Sequence, residues 1–193
     1  MGRQINLAWV NRRMTWVRVG ILQGVGACLF AAGVASRAEG LPWESAGLRG
    51  AFSATRFKAQ FYQTEAFVDW DLPWRWELGT GWRLRSRLDL SAGWLRGRGD
   101  DGFVGTLGPS LTLRREQIPL FLVAGVSPTW LSRDKFGTTD FGIPFQFTSH
   151  AGLGLELGSH FVLGYRFQHM SNANLSSPNP GLNLHSFAIG YRF

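Results

Sequence analysis

Residues 82–94 read WRLRSRLDLSAGW, and their side chains sort by parity. Trp82, Leu84, Leu88, Leu90, Ala92 and Trp94 share one parity; Arg83, Arg85, Arg87, Asp89 and Ser91 share the other. Successive side chains of a strand point to opposite faces, so this segment is a strand with one apolar face and one charged face. The pattern recurs. In residues 60–70, Tyr62, Ala66, Val68 and Trp70 alternate with Gln63, Glu65 and Asp69. In residues 143–157, Phe145, Phe147, Ala151, Leu153, Leu155 and Leu157 alternate with Gln146, Thr148, His150 and Glu156. Helical periodicity is scarce after residue 40.

A soluble sandwich also alternates, with its apolar face inward. Here the polar face argues for the inverse arrangement. Three arginines in a row on one face, with acids on the matching face of another strand, suit a hydrated interior held by internal ion pairs. Segments of about ten or more residues match tilted strands that cross a bilayer, and closing the sheet satisfies every backbone group there. The chain's 9 Trp and 15 Phe suit lipid-facing bands and aromatic girdles. Eight strands are expected, near 45–54, 57–71, 80–96, 103–115, 119–132, 143–157, 160–171 and 182–193. The fold class is therefore all-β, an eight-stranded antiparallel transmembrane barrel of an outer membrane, its interior filled by side chains. The connections alternate between tight (RREQIP, LGSH) and longer polar segments (RGRGDDGF, SRDKFGTTDFG, NANLSSPNPG), as expected of periplasmic turns and external loops. The segment DLPWRWELG, 71–79, is an exception, a longish connection on the periplasmic side. The last strand carries Ile189, Tyr191 and Phe193 at one parity, an ending that resembles the terminal-strand signal of outer-membrane proteins.

The net charge of +7 is unevenly placed. Residues 1–38 carry Arg3, Arg12, Arg13, Arg18 and Arg37 and no acid. The rest is close to neutral, which removes most of the support for a nucleic-acid partner. This leading stretch has a basic start, the apolar run VGILQGVGACLFAAGVA and a small-x-small ending at Ser36 and Ala38. It reads as a signal peptide cleaved after Ala38, with Met14 an alternative start and 39–193 the single barrel. Cys28 is the sole cysteine and reads as a small apolar residue of the leader, so disulfides are not expected in the exported chain.

Near the end, residues 168–183 read QHMSNANLSSPNPGLN. Phe161, Leu163, Tyr165 and Phe167 mark the odd face of the seventh barrel strand as the lipid face; His169 and Ser171 lie on it too. Phe187, Ile189, Tyr191 and Phe193 do the same for the last strand, which brings Asn183 and His185 outward. An outward polar patch at the external rim is costly unless it has a task. His169 and Ser171 are about 6.6 Å apart along a strand, within reach of an imidazole leaning toward a hydroxyl, and histidine can activate a serine nucleophile. A polar turn with a rim histidine is the plainer reading of the same residues. His150 points inward as a hydrogen-bonding residue, and His160 sits at the opposite rim. No cluster has metal-ligand spacing.

The stretch HMSNANLSSPNPG, followed by a final strand, resembles the signature of the outer-membrane lipid A 3-O-deacylases (the PagL type). The resemblance implies an eight-stranded barrel that hydrolyses the ester-linked 3-position acyl chain of lipid A, with its site on the barrel's exterior facing the outer leaflet. It implies Ser171 as nucleophile, His169 as general base, and Asn172 and Asn179 as asparagines serving the oxyanion. Ala173 and Gly181 match small residues framing the loop. The family's acid, twelve residues after the serine, is here Asn183, which can still orient an imidazole but offers it no charge. His185 is the alternative partner. Lipid A and the surrounding outer-membrane lipid are the implied partners, with Arg96, Arg98, Arg133 and Lys135 as candidate phosphate contacts. No cofactor is implied, and a homodimer is one assembly left open. A non-catalytic structural or adhesive barrel is the competing reading; a small pore is disfavoured by the charge-filled interior.

Overall fold

The computed structural model describes residues 43–54 and 60–193. The expected signal peptide with Cys28 and the alternative start at Met14 fall outside these residues. Among them, eight strands close a barrel: β1 (Trp43–Ser53), β2 (Phe61–Glu77), β3 (Trp82–Gly97), β4 (Asp100–Arg115), β5 (Leu120–Leu131), β8 (Phe145–Leu157), β9 (Phe161–Ser171) and β10 (Leu182–Arg192). A small hairpin, β6 (Lys135–Phe136) with β7 (Thr139–Asp140), lies within the β5–β8 connection. Each barrel strand pairs antiparallel with its chain neighbour. Pairing from Ser45↔Arg192 to Ser53↔Leu184 joins β1 to β10 and leaves no free edge.

Parity decides which way each residue faces. In β3, Arg87, Asp89 and Ser91 are buried in the lumen, while Leu90 and Trp94 stand outside. The exterior carries Leu107, Leu111, Leu122, Trp130, Leu153, Leu163, Phe187 and Ile189 as exposed residues. Such a surface is stable against hydrocarbon rather than water.

Inside, opposite charges meet. Arg49 on β1 donates to Glu65 on β2 (3.0 Å) and to both carboxylate oxygens of Asp89 on β3 (3.4 and 2.5 Å). Arg166 on β9 reaches across the lumen to the same two acids, at 3.0 Å from Glu65 and 3.4 Å from Asp89. Ser91 donates to Glu65 (3.0 Å), as does Gln63 (2.7 Å). Toward the other end, Arg87 pairs with Glu44 (2.8 Å), Arg85 with Asp71, and Arg114 and Arg192 with Glu156. Between these ion pairs lies a cavity of about 80 Å³, lined by Arg49, Arg87, Asp89 and Arg166 among others.

Two expected loops are not loops. Residues 71–77 of the supposed connection continue β2, with Trp76 opposite Leu84 and Glu77 opposite Arg83. Pro73 and its neighbours occupy a register shift between Asp71 and Arg75, the irregularity in which a strand tolerates a residue with no N–H. The true turn is 78–81, closed by Leu78 N–H to Trp82 O and Trp82 N–H to Gly79 O. RGRGDDGF is likewise mostly strand. Arg98 (φ 56°) and Gly99 (φ 90°) form a two-residue turn between β3 and β4, with positive φ at both central positions matching the twist of a hairpin.

The connections 132–144 and 172–181 at that end are longer, and the first of them fills the barrel mouth. The β6–β7 segment delivers Phe136 and Phe141, both fully buried, against Phe61. The three rings pack edge to face, with centroids 5.7, 5.9 and 6.0 Å apart. Leu95, Val104, Leu131, Met170, Leu182 and Leu184 complete this apolar plug.

Candidate active site

At the loop end of β9 and the start of β10, antiparallel register sets His169 opposite Asn183 and Met170 opposite Leu182. Met170 and Leu182 turn into the plug, so His169 and Asn183 turn outward together. The ring and the amide meet, with His169 Nδ1 2.7 Å from Asn183 Oδ1. An amide oxygen only accepts, so Nδ1–H is the donor and Nε2 carries the free lone pair. Ser171, partly buried, follows one pleat further along the same face, where β9 ends. The chain then turns at once. Leu175 N–H donates to Asn172 O (3.0 Å), and Ala173 (φ 51°) and Asn174 (φ 63°) form the centre of the turn with positive φ. The turn's own bond consumes the Leu175 N–H and neither of the two central ones.

Asn172 is fully buried, and its amide nitrogen lies within 3.0–3.1 Å of three carbonyls: Phe141, Ser176 and Pro178. Its backbone N–H donates to Asn179 Oδ1 (3.1 Å), while Asn179 Nδ2 donates to Asn174 Oδ1 (3.0 Å). The Asn172 amide nitrogen and both ends of the Asn179 amide thus hold the 172–181 loop in shape. Gly181 (φ 62°) ends that loop directly against the imidazole; a Cβ there would stand 2.9 Å from His169 Cε1. No other residue type fits both that dihedral angle and that clearance.

His185 is one pleat deeper and is otherwise engaged. Its Nδ1 is 2.9 Å from the Tyr165 hydroxyl, and its ring packs among Phe52, Tyr165 and Phe167. The structure therefore pairs His169 with Asn183 and sends His185 elsewhere. His150 is buried in the lumen, and His160 stacks on Tyr191 with Nδ1 3.2 Å from Arg192 O at the tight-turn end. Arg96, Arg133 and Lys135 pair with Asp101, Asp100 and Asp140. β3, which carries Arg96 and leads to Arg98, stands four places from β9 in the ring of eight strands, across the barrel from Ser171. Neither arginine is placed to touch a molecule held at Ser171. The roles of Phe141 and Gly142 in the loop's bonding were not foreseen; their one sequence signal is a pair of Phe-Gly dipeptides within an otherwise polar connection.

Residues 62–192 match the family described as lipid A 3-O-deacylase (PagL). A lipid A deacylase PagL from Bordetella bronchiseptica is 31% identical over 132 residues, covering 62% of this chain and 70% of that protein. A lipid A deacylase PagL from Pseudomonas aeruginosa is 29% identical over 155 residues, covering 77% and 86%. The crystal structure of the outer membrane enzyme PagL superposes with a TM-score of 0.62 at 23% identity, over 76% of this chain and 98% of that one. At that identity the superposition speaks for the barrel alone.

Proposed function

The chain belongs to the lipid A 3-O-deacylase (PagL) family, and from that premise we propose that this outer-membrane barrel removes the ester-linked 3-position acyl chain of lipid A in the outer leaflet, with Ser171 as nucleophile and His169 as general base. The observation that carries the reading is the outward-facing His169–Asn183 pair one pleat from Ser171. Nδ1 is tied to an acceptor, so Nε2 is the basic atom, on the side of the membrane where the loops are long.

The chemistry then follows from charge and proton bookkeeping. Ser171 Oγ attacks the acyl carbonyl while Nε2 takes its proton. The tetrahedral oxyanion needs donors fixed before the reaction. The N–H groups of Ala173 and Asn174, next in the chain and at the centre of a positive-φ turn, fill that role as backbone donors of a nest. Asn172 and Asn179 serve the oxyanion indirectly, as braces of the turn. The imidazolium returns its proton to the departing sugar oxygen. A water, activated by the regenerated base, releases the acyl group from Ser171. The apolar outer faces of β9 and β10, with Tyr165, Phe167 and Phe187, offer the acyl chain a surface on its way into the leaflet.

Mass spectrometry of lipid A from cells expressing the protein tests this. The expected result is loss of one 3-linked hydroxyacyl chain. Unchanged lipid A beside a correctly folded barrel supports the structural or adhesive alternative instead.

Asn183 sets a second expectation. Its amide orients the ring but leaves the imidazolium without a counter-charge. Asn183→Asp keeps the shape and adds the charge, and a charge-assisted hydrogen bond is about twice as strong as a neutral one. The kcat in lipid A–detergent micelles should rise about fivefold to tenfold. A kcat equal to wild type would show that residue 183 does not govern the base.

A further inference from the structure

The β6–β7 part of the plug meets the catalytic loop at Phe141 and Gly142. Phe141 O accepts from Asn172 Nδ2 at 3.0 Å, and Ser176 Oγ lies 3.5 Å from Gly142 O. Gly142 has φ +81°, and a Cβ on it would stand 2.5 Å from Pro178 O and 3.0 Å from Asn172 Nδ2. Two of the carbonyls that fix the Asn172 amide therefore come from within its own loop, and the third comes from the β6–β7 segment some thirty residues earlier. That third carbonyl also accepts from Gln146 Nε2 (3.3 Å), and its residue is held by the Phe141 N–H bond to Asp134 O (2.8 Å) and by the ring, buried against Phe61 and Phe136. On the solvent side, Gly142 N–H donates to Asp140 Oδ1 (2.8 Å) and Lys135 pairs with the same carboxylate (3.1 Å). These contacts, the Gly142 N–H first, hold the Asp140 carboxyl below its ordinary pKa.

We infer that the aromatic plug is part of the catalytic apparatus, with Phe141 and Gly142 as positioning residues that set the turn after Ser171 by fixing the Asn172 amide. This rests on Ser171 being the nucleophile. Asn172 lies between Ser171 and Ala173, so any shift of its side chain is transmitted directly to the N–H groups that face the oxyanion. Neither Phe141 nor Gly142 points at the outward surface where substrate lies. Their effect should therefore fall on kcat and leave KM alone. A plug that merely stabilised the barrel would change the unfolding midpoint and not the chemistry of the folded protein.

The hairpin supplies its own control. Gly137 also has a positive φ, +55°, but its missing Cβ faces Arg98 and not the catalytic loop. Gly142→Ala and Gly137→Ala thus share the backbone strain and differ in contact with Asn172. Two rates are read on each folded barrel: turnover of lipid A in mixed micelles, and phosphonylation by a long-chain alkyl fluorophosphonate. In the second, a Ser171 Oγ–P bond forms, the P–F bond breaks with fluoride leaving, and His169 takes the serine proton, so the same donors are used without lipid A recognition. For Gly142→Ala both rates should fall about tenfold or more with KM within about twofold, while Gly137→Ala stays near wild type. Wild-type rates in folded Gly142→Ala, or an equal loss in Gly137→Ala, overturn the inference. Should Gly142→Ala fail to fold, Phe141→Ala carries the test: the same loss of kcat, recovered by Phe141→Leu, supports the positioning role, and unaltered rates overturn it. A wild-type protein that is not phosphonylated at Ser171 overturns the nucleophile assignment, and this inference with it.

Discussion

Ser171→Ala is expected to leave lipid A intact. Cells expressing it should retain the 3-linked chain completely, with the barrel still folded and inserted, because Ser171 contributes no side chain to the plug or the lumen. The expected fall in kcat is on the order of 10⁴-fold or more, the scale seen when a nucleophile that works with its base as a unit is removed. His169→Ala should be nearly as severe. The double variant should be scarcely worse than either single one, since a base without a nucleophile has nothing to activate. Mass spectrometry of extracted lipid A reads both. A Ser171→Ala protein that still deacylates would place the chemistry elsewhere on the barrel.

The second large effect is on stability. Asp89 binds Arg49 with both carboxylate oxygens and also meets Arg166, so Asp89→Ala leaves two buried guanidinium groups sharing Glu65, with Asp69 at 3.9 Å from Arg49 as the next nearest acid. Breaking a buried pair from one side costs about 3–5 kcal/mol, far more than the pair itself contributes over a well-packed apolar substitute. The urea midpoint in detergent, followed by the heat-dependent shift in gel mobility, should fall accordingly. Leu90→Ala, the next residue, should cost little, because Leu90 faces hydrocarbon and lipid replaces the lost contact. In a soluble sandwich the order would be reversed. A costly Leu90→Ala beside a harmless Asp89→Ala would therefore contradict the barrel's orientation.

The two faces of residues 82–94 were legible because the period of a strand is two and nothing else in the chain disguises it. The fourth to sixth expected barrel strands ran within a few residues of the observed β4, β5 and β8 for the same reason. The misreadings at 71–79 and 96–103 have a common cause. Pro73, Gly99 and paired acids look like loop chemistry, yet a register shift accommodates the proline and a two-residue turn needs only Arg98 and Gly99. At the site, parity placed His169, Ser171 and Asn183 on one face, and register then paired His169 with Asn183. The work of Asn172 and Asn179 could not be read in the same way. Which way an amide points in a ten-residue loop depends on the carbonyls that surround it. One of those, Phe141 O, arrives from a distant segment that no local pattern connects to it.

The outward placement of His169 and Ser171 also sets the dimensionality of the encounter. A molecule reaches this pair sideways, through a two-dimensional fluid, so the concentration that counts is the mole fraction in the film and not molarity in the surrounding buffer. Adding inert detergent or phospholipid at a fixed total amount of substrate dilutes that surface and slows turnover, although the bulk concentration is unchanged. The effective affinity of any inhibitor is likewise its partition coefficient multiplied by its fit, which makes amphiphilicity the first requirement of a ligand for this site.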